Sequence, residues 1–63
     1  MTLTLVYITG NNISGEEALE SSLFEANEIA ELRIAAGVAT RVEIHDEHGA
    51  VLSRRPREGA KNA

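Results

Sequence analysis

The sequence predicts an α+β domain of order strand, helix, strand, strand, with one long helix packed on a three-stranded, mainly antiparallel sheet. Three observations carry this expectation. β-branched and apolar residues alternate near the start and again after Gly37, an uninterrupted helical pattern separates those stretches, and a turn tetrapeptide, Asp46-Glu47-His48-Gly49, follows the second.

The first strand covers Thr2 to Thr9, with Leu3, Leu5 and Tyr7 on one face and Thr4, Val6 and Ile8 on the other. Both faces carry apolar residues, a pattern expected of a strand covered on both sides.

Gly10-Asn11-Asn12 marks a turn, and Ser14-Gly15-Glu16-Glu17 matches a capping box, so the helix is expected to start there, with Ile13 stapled onto Ala18. The expected helix runs from Gly15 to Ala36 with no proline and no interior glycine, and Gly37 suits a left-handed helix end. Such a helix is about 33 Å long at 1.5 Å per residue. Ala18, Leu19, Leu23, Ala26, Ile29, Ala30 and Ile34 form its apolar stripe, with Glu20, Asn27, Glu28 and Glu31 opposite. Phe24 and Leu32 fall outside the stripe, where a single sheet does not cover them.

Val38 to His45 alternates again, with Val42 and Ile44 inward and Arg41, Glu43 and His45 outward. The Asp46–Gly49 turn with a glycine bulge then makes a hairpin that pairs Asp46 with Ala50, Ile44 with Leu52 and Val42 with Arg54, leaving Val51 outside beside His45. The last strand stops before Pro56. Residues 1–55 are the expected domain and 56–63 a flexible basic tail. The preferred sheet order places the last strand between the other two, with the first and second strands running in the same direction.

At 63 residues the chain is long enough for one small core, which buries about 60% of the surface its unfolded form exposes. Small domains compensate with disulfides, metals or self-association. There is no cysteine, and the aromatic inventory is one Phe and one Tyr, which leaves self-association as the expected support. The apolar first ten residues lack a basic leader and the length of a membrane span, so a soluble, cytoplasmic protein that does not contact membrane is expected.

Little in the chain points to chemistry. His45-Asp46-Glu47-His48 places two imidazoles and two carboxylates together, but an outward strand position and a turn tip need not converge, so no metal site is expected. The serines lack a nucleophile-elbow context, no phosphate-loop or dinucleotide fingerprint is present, and no cleft is evident around the Glu43 and Asp46 pair. Gly10 to Gly15 ahead of a helix offers free amides to an anion, but Glu16 and Glu17 oppose it. No catalytic residue and no cofactor are therefore assigned.

Charge is divided unevenly. Residues 1–53 carry two basic and nine acidic side chains, a net −7, whereas 54–63 carry four basic and one acidic, a net +3. Arg54, Arg55, Arg57 and Lys61 could attract nucleic acid while the acidic body repels it. The stronger expectation is a protein-interaction or assembly module, a homodimer or a complex with another protein. Its interface is Val6, Ile8 and Val51 on the sheet face away from the helix, with Phe24 and Leu32 as second choice.

Overall fold

The structure, a computed structural model, describes residues 1–56. The expected flexible tail beyond Pro56, and with it the nucleic-acid role of Arg57 and Lys61, lies outside the described residues. β1 spans Thr2–Thr9, β2 Asn12–Glu20, α1 Leu23–Ala35, β3 Arg41–His45 and β4 Val51–Arg55. The four strands form one antiparallel sheet in the order β2-β1-β3-β4, and α1 covers one face of it.

The α+β class is as expected, but the sheet has four strands rather than three and the helix has 13 residues, about 20 Å. The difference arises at residues 12–20. Gly10 takes φ +65 at the first central position of a two-residue turn, the only left-handed residue of that turn, and sends the chain straight back along β1. Ser14 therefore caps no helix. Its hydroxyl bonds the Tyr7 carbonyl at 3.3 Å, and Ile13 lies opposite Ile8 instead of stapling onto Ala18. The capping box that operates is Ser22-Leu23-Phe24-Glu25, in which the Ser22 hydroxyl accepts from the Glu25 amide at 3.1 Å and the Glu25 carboxylate accepts from the Ser22 amide at 3.3 Å.

The added strand also corrects the sheet order. Because β2 reverses the chain once more, β3 returns antiparallel to β1 and pairs with it directly, which leaves β4 at the edge rather than in the middle.

The helix ends at Gly37. Its amide bonds the Ile34 carbonyl and that of Val38 bonds Arg33, the paired bonds of a Schellman ending, with Gly37 at φ +81. A Cβ added there meets nothing within 4 Å, so Gly37→Ala is expected to cost only the left-handed penalty, about 1–2 kcal/mol, read as a lower urea midpoint.

The core lies between α1 and the sheet: Leu3, Leu5, Tyr7, Val42 and Ile44 from the strands, Ala26 and Ala30 from the helix, and Ala39 from the following loop. Leu19, Leu23, Ile29 and Ile34 pack around its margin. Two alanines at the point of contact let the helix approach the sheet closely. Its flanks are fixed by polar bonds. On the β2 side the Tyr7 hydroxyl donates to Glu17, and Arg33 Nε lies 3.4 Å from the Tyr7 hydroxyl. Burial, first, and the bond to Glu17 push the Tyr7 phenol above its ordinary range. On the β4 side the Ser53 hydroxyl donates to Asn27, and Arg55 Nε donates to Glu31 at 3.0 Å.

Those bonds explain a second correction. The β3–β4 hairpin forms with the Asp46–Ala50 bond expected, but a bulge at Ile44/His45 shifts the register by one, so Ser53 and Arg55, not Leu52 and Arg54, oppose Ile44 and Val42. Asn27 and Glu31, expected on the solvent side, are the helix residues that meet them. Among the described residues no helix is long and apolar enough to cross a membrane.

Candidate functional site

The sheet face away from α1 has no second layer among the described residues. Strand alternation places Thr4, Val6 and Ile8 of β1 on it, and the register aligns the other strands in rows across it. The central row reads Glu16, Val6, Glu43, Arg54. The row on one side reads Ala18, Thr4, His45, Val51, and on the other Ile13, Ile8, Arg41.

Val6 is only 4% exposed although no secondary-structure layer covers it. With Ile8, Thr4, Ile13, Glu16 and Glu43 it lines a shallow concavity of about 320 Å³, so the apolar centre of this face is a recessed floor and not a ridge. Ile13, 63% exposed, lines the same concavity, and Val51, 40% exposed, lies opposite His45 on β4.

Glu43 organises the polar part. Its carboxylate takes a hydrogen bond from His45 Nε2 at 3.0 Å and lies 3.4 Å from Arg54 Nε. The His45 bond chiefly, with help from Arg54, holds the Glu43 carboxyl below the usual range against the opposing effect of burial. Its charge is thus already paired within the chain.

Asp46 sits at the end of the concavity as a turn residue. Its Oδ1 accepts from the amides of His48 at 2.8 Å and Ala50 at 2.9 Å, and these bonds hold its carboxyl below the usual range. A carboxylate depressed in the folded state contributes stability that is complete above its unfolded pKa and lost as pH falls through the lower, folded one. Asp46→Asn keeps an acceptor oxygen but cannot titrate, so melting temperature followed from pH 7 to pH 3 should fall less steeply than in the wild type.

Val6, Ile8 and Val51 therefore share the outer face. Phe24 (71% exposed) and Leu32 lie on the solvent side of α1, across the domain, and cannot join the same surface. Arg54 projects from the outer face beside Glu43, whereas Arg55 lies on the helix face, bonded to Glu31. The two arginines thus point to opposite sides of the sheet. His48 lies at the hairpin tip near Glu47 and His45 beside Glu43, and among the described residues no group of three or more metal-ligating side chains is placed to hold an ion. The Gly10 to Gly15 segment, as turn and strand, offers no helix N-terminus to an anion. Glu16, which a helical reading of 15–36 hides, and Ile13, which that reading uses as a staple ahead of the helix, are the face residues missed in the sequence.

Comparison with known proteins adds no relationship: no family model, no curated protein and no solved structure matches the chain at a significant level.

Proposed function

We propose that this chain is a protein-interaction or assembly module that homodimerises by packing its outer sheet faces together. The observation that supports this reading is the two-sided apolar character of β1. Leu3, Leu5 and Tyr7 meet the helix, while Val6 and Ile8 floor an opposite face that also carries the exposed Ile13 and Val51. Removing apolar side chains of that kind from water is the usual driving force of association, and in so small a domain it adds to a limited core. A second copy supplies the missing layer of a sheet sandwich. No reaction is part of this reading, and a cytoplasmic setting accords with the absence of cysteine.

Nucleic-acid association through Arg54, Arg55, Arg57 and Lys61 is less well supported. Arg54 and Arg55 diverge to the two faces of β4 and lie against Glu43 and Glu31, so they form no common phosphate-binding surface.

Sedimentation equilibrium at micromolar to high micromolar concentration tests the proposal. The expected mass is twice the 6.8 kDa of the chain, and a constant monomer mass at high micromolar concentration overturns it.

A further inference from the structure

The outer face is ordered in charge across the strands, and this selects how two copies meet. This inference rests on the dimer proposed above. In the central row, β2 contributes Glu16 and β4 contributes Arg54, at opposite edges, with Val6 and Glu43 between them. Two sheets packed face to face with their strands aligned have two simple two-fold arrangements. An axis across the strands places each strand over its own copy, so Glu16 meets Glu16 and Arg54 meets Arg54. An axis along the strands places β2 over β4 of the second copy.

We infer that the dimer forms about the axis along the strands, with Glu16 of each copy against Arg54 of the other. Both side chains are exposed and both are long enough to reach across sheets about 10 Å apart at the margin of the interface. The same operation sets Ala18 against Val51 of the second copy and Ile8 against the aliphatic stem of Arg41. Val6 comes over Glu43 of the second copy, whose carboxylate is already bonded to His45 and near Arg54. Arg54 carries five N–H donors, and the opposing Glu16 joins the partners it already has in its own chain, Glu43 among them. The other axis doubles two like-charge contacts, which is the arrangement that charge complementarity selects against.

The test uses two single charge reversals, Glu16→Arg and Arg54→Glu, each analysed alone and then mixed in equal amounts by sedimentation equilibrium, with circular dichroism to verify folding. Each variant alone opposes like charges twice and should self-associate at least about tenfold more weakly than the wild type. In the mixture every contact is again Arg against Glu, so a heterodimer should form within about threefold of wild-type affinity. If Arg54→Glu does not fold, Arg54→Gln mixed with Glu16→Arg replaces it and should still associate more tightly than Glu16→Arg alone. A wild type that dimerises while the reversals change nothing, or while the mixture stays as weak as its components, overturns the orientation and leaves the dimer standing. A monomeric wild type overturns the dimer itself.

Discussion

Replacing Leu5 with alanine should remove most of the stability of the fold. Leu5 is fully buried at the centre of β1, opposite Glu17 on β2 and Ile44 on β3, and it belongs to the cluster that receives Ala26 and Ala30. Truncating a buried leucine costs about 2–5 kcal/mol, because transfer energy is lost and a cavity remains. A domain of 63 residues has roughly 3–9 kcal/mol in all. In urea titrations at one fixed protein concentration the midpoint should fall by half or more, or the chain should be unfolded in buffer. Glu28→Ala, at an exposed position of α1, should stay within about 0.5 kcal/mol of the wild type. An unchanged midpoint for Leu5→Ala would mean that the helix does not pack on this face.

Val6→Lys should have the largest effect on association while sparing the fold. Its two cross-strand neighbours are Glu16 and Glu43, so in the monomer the lysine stem covers the floor of the concavity and its ammonium reaches carboxylates and water. In a face-to-face dimer the same ammonium is enclosed between sheets, where the opposing Glu43, already bonded to His45 and near Arg54, pairs it only in part, and an enclosed charge costs several kcal/mol even when partly paired. Self-association should weaken by about a hundredfold or more, with the circular dichroism spectrum retained. Phe24→Lys on the far side of the helix should leave the association constant unchanged. If Phe24→Lys dissociates the protein and Val6→Lys does not, the helix surface is the interface.

Much of this architecture is legible from local patterns. The two faces of β1, the Gly37 ending, the inward Ala26 and Ala30, and the Asp46–Gly49 hairpin all follow from alternation, helical spacing and turn chemistry. The segment from Asn12 to Ser22 is less clear because two S-x-x-E boxes lie eight residues apart, at Ser14 and at Ser22, and both satisfy the same local rule. Tertiary context decides between them. The second box caps α1, whereas after the first Gly15, Glu17 and Leu19 alternate on the inner face opposite Tyr7, Leu5 and Leu3. Gly15 and Glu17 look like poor strand residues in isolation. In the sheet the Tyr7 ring lies 3.8 Å from the position a Cβ at Gly15 would occupy, and Glu17 accepts the Tyr7 hydroxyl.

The candidate face was legible in part: alternation alone puts Arg41, Glu43 and His45 on the outer side of β3, and the hairpin puts Val51 beside His45. Val6 and Ile8 follow from the period of β1, but the row that gives the surface its charge order depends on pairings between residues far apart in the chain. Glu16 joins it through β2, which a long-helix reading lacks, and Arg54 joins it through the bulge that shifts β4 by one residue. A one-residue slip moves every side chain to the other face, so the hairpin register decides whether Arg54 or Arg55 belongs to this surface.

The most direct test of the account is isotope-filtered NMR on a mixture of labelled and unlabelled chains, which reports only contacts between copies. Packing of the outer faces predicts intermolecular contacts from the methyl groups of Ile8, Ile13 and Val51 and none from Phe24 or Leu32. Intermolecular contacts confined to Phe24 and Leu32, or none in a sample that sediments at the monomer mass, would contradict it.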